Sequence, residues 1–179
     1  MAAPPAAGVE MTSWQRAMRT IRHLLADQRM VARLIPPASI DAISRAIVAS
    51  EKRHDGEIRF CIEAGLPWSY LKRNAPARER ALMLFSKLRV WDTERNTGVL
   101  VYILLADKSI EIVADRGIAR KLPQETWSAI CELIGARFRA GEAGAGVLVA
   151  IERISDALVA HFPPQSRNDN ELPDAPVVL

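Results

Sequence analysis

Val90-Trp91-Asp92-Thr93-Glu94-Arg95-Asn96-Thr97-Gly98 runs into an almost continuously apolar stretch over residues 99–105, and that junction decides the fold. Ala106-Asp107-Lys108-Ser109 reads as a turn, residues 110–114 alternate as a strand does, and Asp115-Arg116-Gly117 follows. The whole is a β-hairpin whose first strand, apolar on both faces, belongs in the middle of a sheet. Pairing Leu105 with Ile110 sets Val101 opposite Ala114 and Leu100 opposite Asp115 by antiparallel counting. The 92–98 loop and Asp115 then leave the sheet at one edge. Four oxygen-bearing side chains, Asp92, Glu94, Asn96 and Asp115, are expected to converge there.

Upstream, residues 57–63 alternate cleanly: Ile58, Phe60 and Ile62 face one way, and Glu57, Arg59, Cys61 and Glu63 the other. That pattern predicts a half-exposed strand. A helix over residues 76–88, with Ala81, Leu82, Phe85 and Leu88 inward, separates it from the hairpin. Two strands joined through a helix are parallel, with a right-handed crossover. Their N-terminal ends then share an edge with the C-terminal end of the third strand. His54, Asp55 and Glu57 join the 92–98 loop and Asp115 at that edge.

Helices account for the rest. Residues 12–34 read as one helix with Trp14, Met18, Ile21 and Leu25 on one face and Arg16, Arg19, Arg22 and Arg29 mainly elsewhere. A basic amphipathic helix can bind membranes or partners, or pack on its own domain, and the last is the plainest expectation. Pro36-Pro37 breaks the chain, Ser39 can cap the next helix, and Ile40, Ile43 and Ile47 form its buried stripe to about Lys52. Pro123 suits the first position of a helix striped by Trp127, Ile130, Cys131, Ile134 and Phe138. Gly141, Gly144 and Gly146 precede a last helix striped by Val147, Ile151, Ile154, Leu158 and Phe162. The fold class is therefore α/β: a three-layer-like sandwich in which a small mixed sheet, a central parallel pair plus an antiparallel hairpin, is flanked by helices. Residues 1–9 and 164–179 are expected to be disordered tails, residues 10–35 an N-terminal basic helical segment, and residues 36–163 the domain proper.

Bulk properties narrow the class. A chain of 179 residues, 49% hydrophobic and 25% charged, suits one globular core and is too short for two comfortable domains. A net charge of +3, with basic residues interspersed among acids, gives no reason to expect nucleic acid. Cys61 and Cys131 have no partners at metal-ligand spacing, which predicts a reduced, cytoplasmic protein. Neither a secretory signal nor an apolar run long enough to span a membrane is expected.

Several blocks together resemble a known family. Ser50-Glu51-x-x-His54-x-Gly56-Glu57-Ile58-Arg59, Arg80-Ala81-x-x-x-Phe85-Ser86, the Trp91-Asp92-Thr93-Glu94-x-Asn96-x-Gly98 loop and Ala114-Asp115-Arg116-Gly117-Ile118 are similar to the TPM domain. The family includes thylakoid acid-phosphatase-like proteins of plants and many bacterial proteins. The resemblance spans residues 36–163 and is nearest to a short bacterial branch without export signal or membrane anchor. It implies a mixed sheet between helices. It also implies divalent-cation binding or phosphatase activity, with Asp92, Asn96 and Asp115 at the family's acidic positions.

The chemistry of these residues supports such an expectation without requiring it. Oxygen-only ligands favour Ca²⁺ or Mg²⁺ over zinc. Asp92-x-Glu94-x-Asn96-x-Gly98 spaces its oxygens like the opening of a calcium loop but is not an EF-hand, since its glycine is one position late and Ile103 stands where a closing Glu would be needed. Loop capping by Asp and Asn explains the same residues. A metal-dependent phosphatase acting on a phosphate-bearing small molecule would draw on a cation at Asp92, Asn96 and Asp115. Arg116 and Arg95 would clamp the phosphoryl oxygens, and His54 or Glu57 would serve as base. The competing class is a non-enzymatic cation-binding or interaction module that meets a protein partner through its basic N-terminal helix. Gly141-x-x-Gly144-x-Gly146 follows a helix, not a strand, and so is a turn rather than a phosphate-binding loop.

Overall fold

The computed structural model describes residues 11–164 and 170–179; the expected tail over 1–9 and residues 165–169 lie outside the described residues. In chain order the elements are α1 (Ser13–Leu25), α2 (Gln28–Leu34), α3 (Pro37–Glu51), β1 (Glu57–Glu63), α4 (Trp68–Leu71), α5 (Ala77–Lys87), β2 (Gly98–Leu104), β3 (Ser109–Ala114), α6 (Arg116–Ala119), α7 (Gln124–Arg139), α8 (Ala143–Val159) and β4 (Val177–Val178). The sheet order is β3-β2-β1-β4. β1 runs parallel to β2 with Glu57 opposite Gly98, and β2 runs antiparallel to β3.

Alternation along the strands sorts the side chains into two cores. Ile58, Phe60, Ile62, Val99, Val101, Ile103 and Ile112 pack with the stripes of α3, α7 and α8. Cys61, Leu100, Tyr102, Leu104 and Val113 pack on the other face with α5, Leu71 and Leu172. The layers are thus helices, sheet, helices, as the pattern predicts.

Four local expectations need correction. The helix over 12–34 is broken after Leu25: Asp27 caps α2 by accepting from Met30 N at 3.0 Å. α3 starts at Pro37 with Pro36 as its cap residue, so Ser39 lies inside the helix. The hairpin register is displaced by two residues, with Ile103 opposite Ile110 and Val99 opposite Ala114. An even displacement leaves every side chain on its expected face. In α5 Ala81 faces inward and Phe85 and Leu88 pack against the core as expected, but Leu84 is buried in place of the expected Leu82, which is exposed.

β1 is not half-exposed. All seven of its residues are buried. Glu63 takes a bidentate bond from the Arg80 guanidinium (2.5 and 2.9 Å) and a third from the Tyr102 hydroxyl at 2.7 Å, so its charge is fully partnered beneath α5. At the other end, residues 170–179 cover Glu57 and Arg59. Val177 and Val178 pair in parallel with Cys61 and Ile62, Arg59 donates to Ala175 O at 3.1 Å, and Leu172 N donates to Glu57 Oε2 at 3.1 Å. This part of the expected 164–179 tail is therefore an edge strand and its approach.

Candidate functional site

The topology places the expected polar groups on one edge. Asp115 N donates to Gly98 O at 2.9 Å and Glu57 N donates to Thr97 O at 3.1 Å, so the starts of β1 and β2 and the end of β3 meet there. The 92–97 loop is folded upon itself. Asp92 N bonds Arg89 O, Asn96 N bonds Thr93 O, and Thr97 N bonds the Thr93 hydroxyl at 2.9 Å. Asn96 adopts a left-handed backbone (φ 57°), a conformation that Asn tolerates better than most residues.

Two glycines let this loop close. A Cβ on Gly98 would stand 1.9 Å from Val90 O, where the loop's two ends cross. A Cβ on Gly117 would stand 2.5 Å from Asn96 O, the carbonyl to which Gly117 N donates at 3.1 Å. Glycine is required at both positions because backbone passes against backbone.

Asn96, Asp115 and Arg116 form one cluster. Asp115 is the cap residue of α6: its Oδ1 accepts from Arg116 N at 2.7 Å. Its Oδ2 is buried and has no hydrogen-bond partner. Arg116 Nε donates to Asn96 Oδ1 at 2.8 Å. Arg95, from the same loop, pairs with Asp55 at the start of β1. Asp92 does not share these contacts; its carboxylate turns to Arg89 at 2.5 Å. Glu94 contributes its backbone amide to Glu171 at 2.8 Å. Among the described residues, no three His, Cys, Asp or Glu side chains stand together as a metal-holding group. A cation here would rest on amide oxygens beside one or two carboxylates.

His54 and Glu57 lie at the same edge but point inward. His54 is fully buried. Its Nδ1 accepts from Gly56 N at 3.2 Å and its Nε2 lies 2.8 Å from Ser50 Oγ, which makes Nε2 the protonated nitrogen. Burial lowers its pKa to about 4, so the ring is neutral. Burial likewise pushes Glu57 up to about 7, with Leu172 N and Glu171 N opposing the shift and the Glu171 and Asp174 charges adding to it. Glu51, whose Oε1 accepts from Ile58 N at 2.8 Å, is pushed up to about 9 by burial and by Glu57 and Asp174 nearby. Cys61 and Cys131 are free thiols raised by burial to about 12 and about 11, far from the thiolate a nucleophile needs.

Three features escape the sequence reading. Asp107, which sequence assigns only to a turn, anchors α1: it accepts from Arg19 at 2.7 to 3.2 Å and lies 3.0 Å from His23 Nε2. Glu51 looks like an ordinary helix-end acid. Residues 170–179 close over Glu57, and the one visible signal for that was the apolar ending Val177-Val178-Leu179.

The model of the TPM domain family matches residues 30–157. Among solved structures, the chain is similar to the BA42 protein of the psychrophilic bacterium Bizionia argentinensis. Identity is 28% and the TM-score 0.71, over 79% of this chain and 93% of that one. No curated protein matches the chain. Family match, three-layer architecture and the glycine-closed loop at the edge agree: this chain belongs to the TPM domain family.

Proposed function

We propose that this TPM domain is a divalent-cation-binding module, with Asp115 and Asn96 as first ligands and Asp92 recruited from Arg89. The observation that carries this reading is the buried, unpartnered Oδ2 of Asp115. A buried carboxylate oxygen without a donor is costly, and a hard cation is the partner its chemistry asks for. Arg116 links the two residues, its N bonded to Asp115 Oδ1 and its Nε to Asn96 Oδ1, and Asp92 precedes Asn96 in the same loop. When bound, the cation would supply a Lewis-acidic centre for an anionic ligand. Arg116 and Arg95 are the side chains placed to receive a phosphate-bearing small molecule there.

Phosphoester hydrolysis needs in addition a base that can reach a water molecule. His54 and Glu57, the candidates, are 0% and 3% exposed and are held by Ser50, Gly56 and Leu172. Binding is therefore the better-supported half of the reading. Two free, high-pKa thiols suit a cytoplasmic setting. Calorimetric titration of Ca²⁺ and Mg²⁺ into chelator-treated protein tests it. Micromolar binding should disappear in Asp115→Asn and weaken in Asp92→Asn. Asn caps helices as well as Asp does, so Asp115→Asn should keep the fold. Silence from the wild type sinks the proposal.

A further inference from the structure

α1 is mounted with its polar side inward. Its buried residues are Arg19 and His23, four apart and so on one helical face. Arg19 reaches Asp107, Asn74 Oδ1 (2.8 Å) and Ala75 O (2.8 Å), and His23 Nδ1 accepts from Leu66 N at 2.9 Å. At 3.6 residues per turn, Trp14, Met18, Ile21 and Leu25 lie on the side directly opposite. They are 70%, 40%, 47% and 74% exposed, and Leu24 beside them is 67% exposed. The helix thus docks on its own domain as expected, but through its polar side, which leaves the apolar face outward.

Charge selects what covers the face. Arg16, Arg22, Arg29 and Arg33 are exposed across α1 and α2. The one acid among residues 11–34 is Asp27, and it is engaged in capping α2. Arg16 falls on the docked side with Arg19 and His23, but Arg22 flanks the stripe. A second copy laid on this face would bring its own Arg22 towards this one, like charge on like charge. Residues 1–10 offer Met1 and Val9 as their only large apolar side chains and no basic residue. We propose that α1 seats the domain on an anionic lipid surface, with its apolar stripe in the headgroup–acyl boundary and Arg22, Arg29 and Arg33 at lipid phosphates. Because Asp107 fixes the helix by its other side, the whole domain can sit on the bilayer without α1 undocking. No helix among the described residues is long and apolar enough to cross a membrane, so the contact lies in the plane of the surface.

The test is co-sedimentation of the full chain with vesicles of phosphatidylcholine alone and of phosphatidylcholine mixed with phosphatidylglycerol, with sedimentation equilibrium in parallel. Binding is expected to the mixed vesicles only, and to fall with added salt. Ile21→Glu/Leu25→Glu should weaken it by more than about tenfold, and Arg29→Gln by about fivefold, the worth of one basic contact. Trp14→Gln, at the other end of the stripe, is an independent second variant. These residues are exposed, so thermal melting should be unchanged. Absence of binding by the wild type, or binding indifferent to lipid charge and to these variants, overturns the proposal. So does a wild-type dimer that Ile21→Glu/Leu25→Glu converts to monomer, which would assign the face to a second copy.

Discussion

The two ends of the chain are both fastened to the same domain, and by opposite electrostatics. At the N-terminal end, α1 is held by a carboxylate that must be charged. Asp107 is partly buried, which alone would raise its pKa, but His23 and Arg19 hold it well below the usual carboxylate range. At the C-terminal end, residues 170–179 lie over two carboxyls that burial keeps protonated into the neutral or alkaline range. Glu57 accepts from Leu172 N, and Glu51 is coupled to Asp174. One end is clamped by ionisation and the other by its suppression. A burial penalty of similar kind is offset in the first case by the Arg19 guanidinium with the His23 ring beside it, and in the second by proton retention.

Removing the ionic clamp should have the largest effect. Asp107→Ala leaves the Arg19 guanidinium without its carboxylate and the His23 ring without its charged neighbour at a half-buried site. Breaking a fully buried pair costs about 3–5 kcal/mol, and the partial exposure of Asp107 should keep the loss at or below the low end of that range. α1 touches the body chiefly through these groups, so the loss should stop at the docking free energy of the helix itself. Amides of Ser13–Leu25 should exchange at nearly unfolded rates in the variant while those of β1 and β2 stay protected. If the whole domain melts with them, α1 is integral to the core and the two ends are not separable.

The C-terminal segment answers to apolar burial. Leu172 is 6% exposed and packs with Leu100, Tyr102 and Val113. Leu172→Ala should cost about 2 kcal/mol, the low end for a buried leucine because the segment can settle into the gap. Exchange should rise at Val177 and Val178 and leave α1 untouched. Equal exposure of both ends in either variant would show that they are coupled through the domain.

The same two ends mark where the sequence stops being informative. Periodicity shows that Trp14, Met18, Ile21 and Leu25 share a face, but not that the opposite face docks. What docks it is one acid in a turn, and Asp107 looks like any polar turn residue. In β1, alternation correctly separates Glu57, Arg59 and Glu63 from Ile58, Phe60 and Ile62. It cannot show that Arg80 and residues 170–179 arrive to bury that polar face. A two-residue strand is too short to alternate. The hairpin was legible because its pattern is local and long. Its register was not, since a displacement by two preserves every face, and the turn geometry, with Lys108 left-handed at φ 52°, made the choice. At the candidate site the sequence brings Asn96, Asp115 and Arg116 to one edge correctly. It could not foresee that Arg89 would take Asp92, or that His54 and Glu57 would point inward, because both depend on side-chain partners outside the local pattern.

Smallest per step, and most discriminating, is the response to pH. A group whose pKa is lowered on folding contributes stability above its unfolded value and loses it as pH falls. Asp107, faced by Arg19, Arg22 and His23, should therefore release α1 only on acidification below its ordinary value near 4. Groups raised on folding behave in reverse: their contribution is whole below the unfolded pKa and is lost as pH rises through the folded one. For Glu57 that window runs from about 4.5 to about 7, and for Glu51 from about 4.5 to about 9. Each titration changes stability by at most about 1.4 kcal/mol per pH unit. Between pH 5 and 9, then, the C-terminal segment should loosen while α1 holds, as read by amide exchange corrected for its intrinsic pH dependence. Glu57→Gln keeps an acceptor for Leu172 N without a proton to lose, so it should flatten the first part of that slope. A slope unchanged by Glu57→Gln would mean that the burial of this carboxyl does not govern the C-terminal clamp, and that β4 pairing with β1 carries it instead.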